Sequence, residues 1–418
     1  MPVIHTLFRS ALLSSALAAI AMTPAAAATL SRADIDRIRA ATGAPASAVN
    51  AGQGAASHFG IAPKGFKYTI VHSFAGGTGD GFNPTAEVTL DASGNIYGTT
   101  DSGGAYGFGT IFELTPGGTE TLLHSFGGSG DGTTPYGAVT FDAKGNIYGT
   151  TNSGGSGGAG IIYELASDGT YTVLHNFITS EGSNIEGRLT QDKKGNLYGT
   201  AAFGGANGDG SVFEYSAQGK FSVLHSFDGT LGEYPDHGVA IDKAGNIYGA
   251  TAFGGNTYDE GTLYEISKTG TFYILHYFTG GADGGFIYGC VTVDKAGNVY
   301  GNAEDGGANN AGTVFQLTRE GKFTTLYNFT GTTDGGTPQG DVLLVGKNVY
   351  GTTSTGAAGG AGGVYEVSLK GQETTLASFD AANGDGYAAG LTPNGKNFLG
   401  TTQDGGANGD GVVFSLTK

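Results

Sequence analysis

The sequence contains no tryptophan and a single cysteine, Cys290. A lone thiol excludes a disulfide framework, so whatever this chain folds into must hold by packing. Basic residues are also scarce: 20 Lys and Arg against 37 Asp and Glu leave a net charge of −17. That balance argues against nucleic acid and anionic membrane surfaces as partners. The one long apolar run lies at the start, where His5 and Arg9 accompany an apolar stretch, Ala11 to Met22, followed by small residues ending in Ala26-Ala27-Ala28. This is the pattern of a secretory signal peptide over residues 1–28, and it is too short and wrongly flanked for a membrane span. No membrane insertion is expected of the remainder. His-Glu-x-x-His, Gly-x-Ser-x-Gly, a phosphate loop and a dinucleotide fingerprint are all missing.

Glycine, by contrast, makes up 80 of the 418 residues, and it recurs at fixed places rather than in low-complexity tracts. The clearest recurring word is Gly-Asn-Ile-Tyr-Gly-Thr-Thr at Gly94 to Thr100, whose tyrosine returns at Tyr97, Tyr148, Tyr198, Tyr248, Tyr300 and Tyr350, with Leu399 in the seventh copy. A period of about 50 residues built only of strand-like runs and turns predicts a β-propeller. Seven copies predict seven four-stranded blades over residues 66–418. In the second copy strand A is expected over Gly137 to Asp142 and strand B over Ile147 to Thr151. Strands C and D follow over Ile161 to Leu165 and Tyr171 to Phe177, joined by Gly-rich turns.

The turn from C to D ends in glycine six times, at Gly118, Gly169, Gly219, Gly270, Gly321 and Gly371, but the chain reaches Lys418 before a seventh. Residues 66–74 form an unpartnered D-type strand at the other end. The expected closure places this strand on the outer edge of the last blade, against Val412 to Thr417. Between signal and propeller, residues 29–65 read as a short helix and a flexible linker. Ser31-Arg32-Ala33-Asp34 looks like a helix cap, Leu30 and Ile35 a staple, and the helix is expected over about Arg32 to Thr42.

The ordered segments Asp-x-x-Gly-Asn-[Ile/Leu/Val]-Tyr-Gly-Thr-Thr, Gly-Gly, Gly-Thr-[Ile/Val]-Phe-Glu-Leu and Leu-His-Ser-Phe resemble the GloVer tandem repeat of choice-of-anchor bacterial surface proteins. The resemblance covers residues 66–418 and implies an exported bacterial propeller with a C-terminal anchor. Here the chain runs out on a strand, so a periplasmic or secreted form is expected instead. The resemblance supplies no catalytic residues. With no tryptophan, the Trp-bearing repeats of WD-type propellers and quinoprotein dehydrogenases do not apply, and sialidase-type Asp boxes are absent as well.

Several residues invite chemistry. His72, His124, His175, His225 and His276 sit one per blade on the outermost strand, too far apart to share one ion. Tyr327 and Ala377 take the same slot elsewhere, as a packing role tolerates. Acids followed by glycine recur between D and A at Asp80, Asp131, Glu181, Asp283, Asp334 and Asp385. They are calcium candidates by ligand type, and good turn formers by geometry. No cofactor is required by any motif, and calcium is the one the acidic rim admits.

Departures from the repeat are more informative. The inward positions of strand A carry Glu87, Ala138, Arg188, Gly238, Cys290, Asp341 and Gly390, of which three are charged. The fourth blade enters through Tyr234-Pro235-Asp236-His237, and Phe203 and Phe253 replace a polar loop residue in the third and fourth. Aromatic faces with a few charges at a propeller mouth suit sugars. The leading expectation is therefore a non-catalytic exported module binding a glycan or another envelope or extracellular partner. One alternative is a polysaccharide lyase or hydrolase, in which Arg188 neutralises a uronate, His237 or Tyr234 is the general base and Asp236 orients the histidine. Another is a purely structural envelope protein.

Overall fold

The computed structural model describes residues 65–127 and 130–418; the expected signal peptide, helix and linker lie outside them. Among the described residues there are strands and turns but no helix, arranged as seven antiparallel blades. The second blade runs Thr140–Phe141, Ile147–Thr151, Ile161–Leu165 and Tyr171–Asn176, each strand paired with the next. The fold is the expected β-propeller. Strand A is much shorter than the run Gly137 to Asp142, because its entry segment bonds to the neighbouring blade instead of to its own. Thr99 Oγ1 donates to the Gly137 carbonyl at 3.1 Å and Thr89 Oγ1 to the Val139 carbonyl at 2.7 Å.

Ring closure follows the expected route. Lys67–Ser73 pairs antiparallel with Val412–Thr417, from Lys67 opposite Thr417 to Ser73 opposite Val412. The register slips between Ile70 and His72, the same bulge that every other D strand carries before its histidine slot. Tyr68 is 3% exposed, stacks on Phe414 with centroids 5.1 Å apart and donates its hydroxyl to the Asn383 carbonyl. The seam between last and first blades is a core like the others: Phe74, Val88, Phe112, Leu399 and Val413 pack in one cluster.

The recurring word explains itself residue by residue. Its second glycine must be bare, because the aromatic ring of strand C lies flat on the strand B backbone. A Cβ on Gly98 would meet the Phe112 ring at 2.6 Å, one on Gly149 the Tyr163 hydroxyl at 2.2 Å, and one on Gly400 the Phe414 ring at 2.4 Å. The tyrosine beside it reaches the strand A turn, where Asp142 Oδ1 accepts from the Lys144 and Asn146 amides at 2.8 and 2.9 Å. Tyr148 donates to Asp142 Oδ2 at 3.4 Å and to Glu164 at 2.9 Å. Each first threonine crosses to the next blade: Thr150 to the Gly187 carbonyl, Thr200 to that of His237, Thr401 to that of Ala86. Blades six and seven depart from the pattern, replacing the aspartate turn by the tight hairpins Val345 to Asn348 and Asn394 to Asn397.

Two substitutions test these constraints by thermal melting. Gly249→Ala, which would press a Cβ to 2.3 Å from the Tyr264 hydroxyl, is expected to cost about 1–3 kcal/mol by overpacking. Tyr68→Ala is expected to cost about 3–5 kcal/mol at the clasp. Removing residues 66–74 should be worse than either, and an unchanged melt would contradict the closure.

Candidate functional site

The loops entering strand A set the mouth of the propeller. In successive blades they carry one residue in the left-handed region, Asn83, Thr134, Asn184, Tyr234, Phe286 and Thr337, with φ between 53° and 62°. The same residue ties two loops together: the Tyr234 amide donates to the Asp209 carbonyl at 3.2 Å, and its carbonyl accepts from the Ala252 amide at 3.1 Å. Asn83 and Phe286 repeat this arrangement. The backbone of Tyr234 is thus part of the scaffold, and only its side chain distinguishes it.

That side chain belongs to an aromatic cluster. Tyr234 meets Phe203 edge-on at 4.9 Å, Phe253 at 5.8 Å and Tyr288 at 6.3 Å, while Phe253 meets Phe286 at 5.2 Å. Tyr234 and Tyr288 are buried; Phe203, Phe253 and Phe286 are half-buried. Phe286 and Tyr288 were not singled out from sequence, although they occupy the repeat columns of Tyr234 and Asp236. Comparing those two columns blade by blade would have found them. Tyr258 lies farther out, 57% exposed.

Below the rim the inner strands approach closely enough that side chains from distant blades touch. Glycine makes this approach possible: a Cβ on Gly187 would sit 2.3 Å from the Gly238 amide nitrogen. Arg188 Nη1 lies 2.8 Å from Glu87 Oε1, spanning from the third blade to the first. The Arg188 side chain keeps 44% of its surface while that of Glu87 keeps 12%. Burial and the nearby Asp341 push Glu87 upward, against the opposing pull of Arg188. Asp341 Oδ1 in turn accepts from the Cys290 amide at 2.7 Å, and the buried Cys290 thiol is pushed up. His237 Nδ1 lies 3.1 Å from Asp236 Oδ1, and its Nε2 lies 3.1 Å from the Tyr387 hydroxyl across the channel. The sequence offers His237 or Tyr234 as general base, with Asp236 orienting the histidine; the structure puts Tyr387 on the outer nitrogen of His237 and Tyr234 in the aromatic wall.

More acids surround the mouth than the inward column suggested. Asp101, Glu186, Asp236 and Glu304 are all buried, with Asn152 Nδ2 donating to Glu186 at 2.8 Å. Burial pushes Asp101 up to about 7, and the charge of Asp404 adds to the shift.

The calcium candidates are arranged differently. Asp131 takes both oxygens to His124 Nε2 at 3.2 Å and accepts the Gly127 amide at 2.7 Å; Asp283 meets His276 at 3.0 Å and Thr279. Asp334 accepts from Tyr327 at 2.8 Å and Asp385 from the Gly386 amide at 2.7 Å. Asp80 accepts from the Ala75 and Gly81 amides at 2.7 Å. The five stay one per blade and do not gather round one point. Four of the five histidines also stack on the next blade: His124 on Tyr171, His175 on Phe221, His225 on Phe272 and His276 on Phe323, at 3.7–4.0 Å between centroids. These four are interblade packing groups, and His124, His175 and His276 each have an acid as local partner.

The buried mouth acids predict an unusual pH response. A carboxyl raised in the fold binds its proton more tightly there than when unfolded. Its stabilising contribution is complete below the ordinary range near about 4, and is lost as pH rises through about 7 for Asp101. Asp101→Asn is therefore expected to raise the melting temperature at pH 8 by about 2–4 °C and to leave it nearly unchanged at pH 4. Equal effects at both pH values would contradict the assignment.

Comparison with known proteins places the whole described region. The sequence model of the Gloeobacter/Verrucomicrobia repeat matches residues 40–255 and 236–418. No curated protein matches. Among solved structures, the extracellular domain of a hybrid two-component system from B. thetaiotaomicron is similar at 12% identity and TM-score 0.55, over 84% of this chain and 39% of that one. A puromycin hydrolase is similar at 11% identity and TM-score 0.52, over 76% of this chain and 50% of that one. The chain thus spans half or less of these larger structures, and at such identity the likeness is of fold alone. With two overlapping matches that run from before the clasp strand to the final residue, the chain belongs to the Gloeobacter/Verrucomicrobia repeat family.

Proposed function

We propose that this protein is an exported, non-catalytic binding module whose loop-bearing face takes a glycan of the cell envelope or its surroundings. The carrying observation is the aromatic cluster of Phe203, Tyr234, Phe253, Phe286 and Tyr288, contributed by three consecutive blades whose inner strands also carry Arg188. Sugar rings present apolar faces to aromatic side chains and hydroxyls to charged groups, and half-buried phenylalanines at a polar mouth serve both. The exported setting rests on the N-terminal signal pattern, and a similar propeller serves as an extracellular domain.

A second reading rests on a different observation. His237 between Asp236 and Tyr387 is an oriented imidazole touching a phenol, the arrangement a lyase uses to move a proton. In that reading His237 is the base, with Tyr387 as its hydroxyl partner in place of the alternative base Tyr234. Arg188, the group that would neutralise a uronate, is already paired with Glu87, which favours binding over turnover.

One set of measurements separates the two. The purified protein is presented with neutral and acidic oligosaccharides on an array, and ultraviolet absorbance follows any unsaturated product. Binding that falls at least about tenfold in Phe253→Ala, the loss of roughly 1.4 kcal/mol, and persists without product in His237→Ala is the expected result. Product formed by the native protein and abolished in His237→Ala and Tyr387→Phe would establish the lyase. An array with no bound glycan would reject the proposal.

A further inference from the structure

One interblade junction keeps the histidine but lacks the aromatic ring it stacks on elsewhere. At the seam where the ring closes, the slot occupied by Tyr171, Phe221, Phe272 and Phe323 elsewhere is held by Glu120. His72 on the clasp strand therefore faces a carboxylate instead of an aromatic face. Its Nε2 lies 3.7 Å from Glu120 Oε2 and 3.8 Å from Asp80 Oδ1, while the corresponding histidine to acid distances at the stacked junctions of His124, His175 and His276 are 3.0–3.2 Å. The three groups have drawn apart around a common point. One nitrogen and two carboxylate oxygens, all within 4.8 Å of one another, surround it.

A further observation points to a ligand at that point. Glu120 Oε1 and His72 Nε2 are sealed from solvent and have no hydrogen-bond partner, and His72 Nε2, unlike the similarly unpaired His225 Nε2, has two carboxylates within 4 Å. The rest of the ring supplies a control. At the junction of Tyr327, Asp334 and Glu373 a glutamate also takes the aromatic slot, but there the phenol donates directly to Asp334 at 2.8 Å and closes the gap. Only the seam combines the glutamate with a histidine among the described residues.

We infer that His72, Asp80 and Glu120 form a binding site for a divalent transition-metal ion that staples the N-terminal strand and the last blade to the first. Spacings of 3.7 and 3.8 Å suit ligands about 2.0–2.2 Å from a shared ion. An imidazole among the donors favours zinc-like ions over calcium or magnesium, which prefer oxygen alone. Three protein ligands leave room for water at the remaining position. The three come from the clasp strand, the loop that follows it and strand D of the first blade, so an ion bound there ties the clasp strand, and through its pairing the last blade, to the first. It stabilises that folded junction by mass action.

The test uses the full chain stripped with EDTA and titrated with Zn²⁺, with Ca²⁺ and Mg²⁺ in parallel, by calorimetry and thermal melting. The wild-type chain is expected to bind one more Zn²⁺ than Glu120→Phe, and to show a rise in melting temperature that this variant lacks. Glu120→Phe restores the aromatic stack of the other junctions, so it should melt no lower than the metal-free wild type and serves as a folded control. Glu120→Gln should weaken Zn²⁺ at least about tenfold. Equal Zn²⁺ uptake and equal melting shifts in wild type and Glu120→Phe would overturn the site. A melting shift with Ca²⁺ and none with Zn²⁺ would overturn the transition-metal assignment.

Discussion

Everything in this propeller depends on one contact: the aromatic ring of strand C lying against a bare glycine of strand B. Seven glycines, from Gly98 to Gly400, would each force a Cβ to within 2.2–2.6 Å of such a ring. Because the ring occupies that space, the blade sheet is thin enough at its centre for the neighbouring blade to pack flush against it. Buried aromatics such as Phe112, Phe213 and Phe315 then reach both sides of the junction. Each contributes roughly 1.5–3 kcal/mol by burial, without a disulfide anywhere to help. The two residues flanking this glycine do the rest, the tyrosine bracing the turn below and the threonine bonding the next blade.

This is why the architecture was legible in the sequence. A contact repeated in every blade leaves a word repeated in every blade, and the seventh copy without its C-to-D turn located the clasp strand. Strand A was less legible. Its residues alternate like a strand, but the backbone between Gly137 and Val139 is satisfied by threonine hydroxyls of the preceding blade, and no pattern within one repeat encodes a partner 38 or 50 residues away. The tight hairpins at Gly346 and Gly395 were overlooked for the opposite reason: the departure was local and visible, yet it lay outside the columns compared.

The mouth was legible in composition and not in pairing. Arg188, Glu87, Asp236 and His237 all stood out as departures, but that Arg188 meets Glu87 and His237 meets Tyr387 depends on the narrowness of the channel. That narrowness comes from inner-strand glycines packed backbone to backbone, Gly187 against Gly238 among them. A wide channel would have left Arg188 free to meet a ligand charge. As built, the ionic groups satisfy one another across the axis, and the aromatic cluster at the rim is what remains to be offered outward.

The same logic of exchange between positions applies at the ring seam. Ring closure joins a strand from one end of the chain to a blade from the other, so its loop-closure entropy is the largest any junction must offset. Four junctions offset theirs with an imidazole stacked on an aromatic ring. A seam that merely lost this stack would be the weakest place in the ring, and a buried glutamate facing another acid would weaken it further. Burial and the charge of Asp80 do push Glu120 up, to about 7. A cation shared by His72, Asp80 and Glu120 removes both liabilities at once: it neutralises the acids, and it replaces the missing stack by bonds that tie the clasp strand to the first blade.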